Sequence, residues 1–254
     1  MDMIGRVALV TGGGTGIGRS VSKLLAENGA AAIAVNYARS GDEAAETVEE
    51  LKGVGTEADM WQADVADDTA VRSMIGDVVG RYGHIDVLIN NAGTTVFAPF
   101  GDLEALTDKI WDTMLRVNLL GAFYCARAAA PSLRSSKGAI VNVSSIAGVR
   151  AAGSSLAYGV SKAALLQLTR GLAIALAPNV RVNAVSPGMV TTRWHSTHLG
   201  AEQAEANARV EVEKTPLKAV ANSEAIAEAI MALLGADFVT GESLVVDGGK
   251  HLNY

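Results

Sequence analysis

The sequence predicts a doubly wound α/β domain: a parallel sheet of seven strands with helices on both faces, spanning residues 1–254 as one unit. Three features predict it. Short apolar runs of strand length alternate with longer stretches of helical periodicity from one end of the chain to the other. The helical stretches are long enough to carry right-handed crossovers between parallel strands. No repeat, low-complexity tract or proline-rich linker divides the chain, and 49% hydrophobic against 19% charged residues is the balance of a globular protein with a large core.

The elements follow in order. Val7-Ala8-Leu9-Val10 is an unbroken apolar run, as in a strand buried on both faces. Ile17, Val21, Leu24 and Leu25 then recur along one helical stripe. Ile33-Ala34-Val35 is the second strand, and Ala44, Val48 and Leu51 mark a helix ending near Gly53. Met60-Trp61-Gln62-Ala63 reads as the third strand. Val71, Met74, Ile75, Val78, Val79 and Tyr82 form a strong helical stripe ended by Gly83. Val87-Leu88-Ile89 is the fourth strand, one long helix runs from Asp108 to Leu133, and Ile140-Val141-Asn142-Val143 is the fifth strand. A helix over Leu156 to Leu176 precedes the sixth strand, Arg181-Val182-Asn183-Ala184-Val185. Ile226, Ile230, Leu233 and Leu234 give the last helix, and Leu244-Val245-Val246 the last strand.

One segment breaks the rhythm. Gly188 to Pro216 holds a polar, Ala/Glu-rich helix near Ala201 to Glu213. It leaves the carboxyl end of a strand, where open α/β sheets bind ligands, so residues 188–216 read as a substrate lid.

Composition also excludes functions. Lys and Arg number 21 against 27 Asp and Glu, a formal net charge of −6, which disfavours nucleic acid as a partner. No apolar stretch approaches the roughly 20 residues that span a bilayer. Met1 to Arg6 leads straight into a strand without the pattern of a signal peptide. The single cysteine, Cys125, forms no internal disulfide, which fits a cytoplasmic location, and within a helix it reads as a small packing residue.

Thr11-Gly12-Gly13-Gly14-Thr15-Gly16-Ile17-Gly18 lies between the first strand and the first helix. Glycines there let backbone approach a pyrophosphate, and the helix N-terminus supplies N–H groups and partial positive charge, the dinucleotide-binding arrangement of a Rossmann-like sheet. The second strand leads into Asn36-Tyr37-Ala38-Arg39-Ser40, with no acidic residue before Asp42 to accept from an adenosine ribose. Arg39, beside Ser40, offers a guanidinium fork suited to a 2′-phosphate; its plain alternative is a solvated loop residue. The expected cofactor is therefore NADP(H), with NAD(H) as the alternative. Asp64 and Val65 follow the third strand, where Asp64 is either an acceptor for the adenine amino group or a residue of a helix cap. Asn90-Asn91-Ala92-Gly93 ends the fourth strand with side-chain amides that would tie neighbouring strand ends together under a flat-lying cofactor.

Tyr158 and Lys162 stand four residues apart, on one face of a helix. A phenol titrates near about 10 in water, and a fixed cation one turn away favours the phenolate, so Lys162 is expected to bring Tyr158 toward working pH. Ser145, just after the fifth strand, has a hydroxyl placed to donate to a substrate oxygen, and Asn118 lies within the long helix.

Together these motifs resemble the short-chain dehydrogenase/reductase family in its compact single-domain branch. They comprise the Thr-Gly-x-x-x-Gly-x-Gly turn at Thr11, Gly12, Gly16 and Gly18, then Asn90-Asn91-Ala92-Gly93, Asn118, Ser145, Tyr158-x-x-x-Lys162, Pro187-Gly188 and Val246-Asp247-Gly248-Gly249. The resemblance implies that Tyr158 is the acid in ketone reduction and the base in alcohol oxidation. It implies that Lys162 holds the nicotinamide ribose and lowers the Tyr158 pKa, that Ser145 polarises the carbonyl oxygen, and that Asn118 supports a water relay. Pro187, Gly188 and Val190 would line the nicotinamide. The wider Tyr-to-Lys spacing of the enoyl-reductase branch is not found here, and the intact lysine and glycine turn differ from the halohydrin dehalogenases. The usual assembly is a homotetramer, for which the two long helices are apolar on more than one face: Leu119, Leu120, Phe123 and Tyr124 on one helix, Leu165, Leu166, Leu168 and Leu172 on the other.

The expected function is an NADP-dependent reduction of a ketone or aldehyde, or its reverse. 3-Oxoacyl-acyl-carrier-protein reductase is the leading subclass, with the net charge and the uncharged Ala177-Pro178-Asn179 loop counting against it and Arg134 and Lys137 offering a small docking patch. A non-catalytic dinucleotide sensor is the alternative of another class. Trp194 lies in the lid and reads as a substrate cover. His195 and His198, with Glu202 and Glu205 nearby, lack the further ligands a metal needs, so no metal is expected.

Overall fold

Apolar runs that satisfy their backbone groups only by pairing on both sides build one parallel sheet in the computed structural model, which describes residues 1–252. The side chains of His195 and His198, on which the metal reading turned, lie outside the described residues. The strands are β1 (Val7–Val10), β2 (Ala32–Tyr37), β3 (Glu57–Gln62), β4 (Val87–Asn90), β5 (Ala139–Val143), β6 (Arg181–Pro187) and β7 (Ser243–Val246). Their order is β3-β2-β1-β4-β5-β6-β7, with every neighbouring pair parallel. The chain winds outward from β1 in one direction and from β4 in the other. The crevice beyond the carboxyl ends of these two strands is thus the switch point at which such sheets bind ligands.

Helices cover both faces. α1 (Gly16–Glu27), α2 (Gly41–Gly53) and α9 (Ser223–Gly235) pack Val21, Leu25, Val48, Leu51, Ile226 and Ile230 against Val10, Ile33, Val35 and Ile89 of the sheet. On the opposite face α3 (Asp68–Tyr82), α5 (Gly121–Ser136) and α6 (Leu156–Leu176) bring Val71, Ile75, Leu133, Leu172 and Leu176 onto Leu9, Leu88 and Ile140. Asp67 caps α3 by accepting from Thr69 and Ala70 N–H, and Gly83 ends it at φ +86°. α4 (Asp108–Leu115), α7 (Arg193–Leu199) and α8 (Ala201–Lys214) lie at the cleft end of the fold. Among the described residues no helix is long and apolar enough to cross a membrane.

Several elements differ from the sequence expectation. The helix expected to run unbroken from Asp108 to Leu133 is α4, a wide π-type turn over Arg116–Leu120, and α5, which continues to Ser136 and ends where Lys137 takes a left-handed φ of 52°. β3 begins at Glu57, earlier than Met60, because an edge strand tolerates polar residues on its open face and so shows no apolar run. β6 continues through Ser186 to Pro187, bringing Pro187 into the sheet beside Val246. α7 was not expected. The apolar faces of the long helices are also distributed differently: Leu165, Leu166 and Leu172 are buried within this chain, while Val160 and Ile174 are the large apolar residues that α6 exposes. Cys125 is fully buried, and burial pushes its thiol up to about 12, as suits a packing residue rather than a nucleophile.

Candidate active site

The glycine turn is built by steric necessity. Gly12 and Gly16 hold φ of +60° and +51°, and a Cβ at Gly18 would lie 2.2 Å from the Gly12 carbonyl oxygen, so the turn closes onto α1 only with glycine there. Neighbouring strand ends lock it. Thr11 Oγ1 accepts from the Asn91 and Ala92 N–H groups at 3.0 Å, and Asn91 Nδ2 donates to the Thr11 and Gly12 carbonyls at 2.9 and 3.1 Å. Asn90 Nδ2 donates to Asn142 Oδ1 at 2.9 Å, linking β4 to β5. The amides of Asn90 and Asn91 therefore tie the strand ends as their position predicts.

A single cleft of about 880 Å³ runs from this turn across the carboxyl ends of the strands. Gly12, Thr15, Gly16, Ile17, Arg39, Ser40, Asp64, Val65, Asn91, Ala92 and Gly93 line one part of it. Ser145, Tyr158, Lys162, Pro187, Gly188 and Val190 line the other. Gly18 and Asn118 are not in its wall: they act from behind, as the turn closure and as a strut. Asp64 uses one carboxylate oxygen to accept from Ala66 N–H at 2.9 Å in the turn before α3, whose cap is Asp67 and not Asp64. Val190, buried, pairs with Ala221 and anchors the start of segment 188–216.

At the other end, Ser145 and Tyr158 line the same stretch of the cleft, the Ser145 hydroxyl close enough to favour the phenolate, and Ser145 Oγ accepts from Ala147 N–H at 3.1 Å. Ser155 caps α6 by accepting from Tyr158 N–H at 3.2 Å, which sets where the helix begins and hence where the phenol projects. Gly148 permits the approach of the Ser145 segment to α6, since a Cβ there would stand 2.7 Å from the Lys162 carbonyl carbon. Lys162 is buried. Its Nζ donates to the Val143 carbonyl at 2.8 Å and sits 5.8 Å from the centre of the Tyr158 ring. Asn118 occupies the π-type turn, where its Oδ1 accepts from Thr94 N–H at 2.8 Å and its Nδ2 donates to the Thr94 carbonyl and Ser161 Oγ, each at 3.0 Å. The wide turn is what swings this amide out of helical register and against the loop after β4.

The electrostatics overturn one expectation. Tyr158 lies above the ordinary phenol range because burial disfavours the phenolate, and the opposing influence is the Ser145 hydroxyl, not the Lys162 cation. Lys162 faces the same cost: desolvation lowers its ammonium to about 8. The i, i+4 spacing placed the two groups side by side, but burial acts on both and outweighs their mutual effect.

The site suits a nicotinamide dinucleotide. Thr15, the residue before α1, makes no side-chain cap, so the first-turn N–H groups of α1 are left for an anion at the glycine turn. A Cβ built on Gly93 would approach Asn118 Oδ1 at 3.3 Å, Lys162 Nζ at 3.6 Å and Trp194 Cη2 at 3.8 Å, so glycine keeps that floor clear between the polar groups and the indole. A family profile described as enoyl-(acyl carrier protein) reductase matches residues 12–251. The chain is 42% identical over 248 residues to "Granaticin polyketide synthase putative ketoacyl reductase 2" of Streptomyces violaceoruber, covering 97% of this chain and 96% of that protein. It is 37% identical to a 3-oxoacyl-(acyl-carrier-protein) reductase of Staphylococcus epidermidis, over 96% of this chain and 98% of the relative. A crystal structure titled as a "putative short-chain dehydrogenase/reductase" from Burkholderia xenovorans superposes with a TM-score of 0.90 at 33% identity, covering 98% of this chain and 99% of that one. The chain belongs to the short-chain dehydrogenase/reductase family. As such it is an oxidoreductase enzyme with a Rossmann-like fold, of a family that uses nicotinamide dinucleotides.

Several contributors in this short-chain dehydrogenase/reductase escaped the sequence reading. Asn36 is buried in β2, accepts from Gly12 N–H at 3.3 Å and donates to the Ala63 carbonyl at 3.0 Å, so one amide holds the glycine turn to the loop after β3. A polar residue inside an apolar strand was the available signal. Ser144 Oγ donates to the Lys162 carbonyl at 3.0 Å, and Ser161 receives Asn118, yet neither has a distinctive sequence context. Arg193 pairs with Glu43 and donates to Ser40 Oγ at 2.6 Å, a contact between residues 153 apart that local patterns do not reveal. Among the described residues no three His, Cys, Asp or Glu side chains form a metal-binding group.

Proposed function

We propose that the protein is an NADP-dependent reductase of a ketone or aldehyde, also able to run the reverse oxidation, with Tyr158 as the acid/base. The observation that carries this is the convergence of Ser145, Tyr158 and the buried Lys162, whose Nζ stands 5.8 Å from the Tyr158 ring centre, in the same cleft as the glycine turn. When bound, the cofactor supplies the hydride. The substrate oxygen then meets the hydroxyls of Ser145 and Tyr158. Ser145 donates a hydrogen bond to that oxygen as negative charge develops, and Tyr158 delivers its proton to it. Because burial keeps the phenol protonated, Tyr158 is ready as an acid through neutral pH; in oxidation the phenolate must form, so that direction gains as pH rises. Lys162, held by Val143, presents its ammonium beside the ring to bind the ribose hydroxyls, and Asn118 fixes the Thr94 loop that borders them. Arg39 and Ser40 support a 2′-phosphate at the far end of the cleft. Residues 188–216 close over the substrate, and the chain works as a cytoplasmic homotetramer joined through α5 and α6.

A narrower reading, reduction of a 3-oxoacyl thioester on an acyl-carrier protein, is favoured by the names of the relatives and by the cleft mouth. Lys214 and Lys250 both line it where a phosphorylated carrier arm would lie, Lys250 being paired with Glu211 of α8 while its carbonyl accepts from Arg150 at 3.0 Å. Incubating the purified protein with NADPH or NADH and a panel of ketones, aldehydes and acetoacetyl thioesters, while following loss of reduced cofactor, tests both. Turnover of any carbonyl with NADPH supports the general reading, and thioesters turned over well above simple ketones support the narrower one. Tight NADPH binding without turnover of any of them would replace both with the sensor alternative.

A further inference from the structure

We propose that Arg193, carried by the segment that follows β6, is a second guanidinium of the cofactor's 2′-phosphate site and decides the preference between NADPH and NADH. The inference rests on the NADP reading above and extends it to a residue on the opposite wall of the cleft.

Three consecutive residues lie along the cleft. Thr192 Cγ2 stands 3.4 Å from where a Cβ of Gly16 would be, over the glycine turn. Trp194 Cη2 reaches the floor at Gly93, beside Lys162. Arg193, between them in sequence, reaches the far end: its Nη2 donates to Ser40 Oγ at 2.6 Å, and its Nη1 pairs with Glu43 in the first turn of α2. Arg39, Ser40 and Arg193 all line this end of the cleft. A residue at one end of a dinucleotide track whose neighbours mark its middle and other end is placed for the adenosine ribose.

The chemistry of the corner gives the discrimination. A carboxylate after the second strand ordinarily favours the two free hydroxyls of an NAD ribose and repels a 2′-phosphate. Here no acid stands at that position; the carboxylate nearest Arg193 is Glu43, in the first turn of α2 behind Ser40, and the guanidinium beside it holds it below the usual carboxylate range. Arg193 therefore occupies the group that would otherwise oppose a phosphate, and its planar fork suits two phosphate oxygens. With Arg193 present the corner carries guanidinium groups on both walls; without it, Glu43 is left unpaired by Arg193 at the edge of that corner, behind Ser40.

The test is equilibrium binding of NADPH and NADH by calorimetry, for wild type, Arg193→Met and Glu43→Gln, with no substrate present. Arg193→Met is expected to weaken NADPH by about tenfold or more while NADH stays within about threefold, since one charge-assisted contact to phosphate is lost. Glu43→Gln is expected to tighten NADPH and leave NADH unchanged. NADH binding reports that each variant is folded. A wild type that prefers NADPH with an unchanged ratio of dissociation constants in Arg193→Met overturns this inference alone, as does equal weakening of both cofactors. Weaker NADH binding in Glu43→Gln would make Glu43 the ribose acceptor and overturn it too. A wild type that binds NADH more tightly overturns both this inference and the NADP reading.

Discussion

Replacing Lys162 by Met removes a buried ammonium while keeping a chain of similar length, and the consequence depends on pH in a calculable way. The ordinary value for lysine is 10.5, and burial lowers this one to about 8. Between those values the unfolded chain binds more protons than the folded one, so the wild type gains stability as pH rises through that window. At about pH 7 the desolvated cation disfavours the fold by about 3 kcal/mol, and at about pH 9.5 by about 1 kcal/mol. The wild type should therefore gain about 2 kcal/mol relative to Lys162→Met across that interval, with all other titrating groups cancelling in the difference. Urea unfolding of both proteins at the two pH values measures it. Parallel pH dependence in the two proteins, or a gain by the variant, would refute the claim that this cation is held desolvated against the protein's own stability.

Two further substitutions probe the scaffold and the proton donor. Gly18→Ala forces a methyl group to within 2.2 Å of the Gly12 carbonyl oxygen, and the overpacking should cost about 1–3 kcal/mol in unfolding experiments while weakening NADPH binding. Ser145→Ala removes the hydroxyl that draws the Tyr158 phenol down; kcat for reduction should fall roughly 10²- to 10³-fold, and the pH midpoint of alcohol oxidation should move upward, which a steady-state pH profile would show.

Where an element is decided by a local pattern, the residues declare it. α6 runs from Leu156 to Leu176, the span its sequence predicts, because Ser155 starts it and its apolar stripe is continuous. The glycine turn and the Tyr158–Lys162 pair are legible for the same reason: their chemistry depends on spacing along one helix or one turn. The π-type turn at Arg116–Leu120 is invisible, since both flanking helices share an apolar stripe and the insertion is fixed by Asn118 reaching Thr94 and Ser161. α7 is missed because Arg193-Trp194-His195-Ser196-Thr197 contains weak helix formers without a stripe, although Gly200, at φ +81°, marks its end. The pKa of Tyr158 is misjudged from sequence because spacing reveals a neighbouring cation and hides burial. The pairing of Arg193 with Glu43 depends on how far α7 reaches across the cleft, which belongs to the folded chain alone.

The central claim is that the Tyr158 hydroxyl moves the proton at the point where hydride arrives. Tyr158→Phe keeps the ring, and Ser145 keeps its contact with Ala147, so the fold should be nearly unchanged. Reduction of the best carbonyl from the panel by this variant, with NADPH binding measured alongside, is the most direct test. The account predicts a fall in kcat of roughly 10²- to 10⁴-fold with NADPH affinity within about threefold of wild type. Turnover within a few-fold of wild type would contradict it.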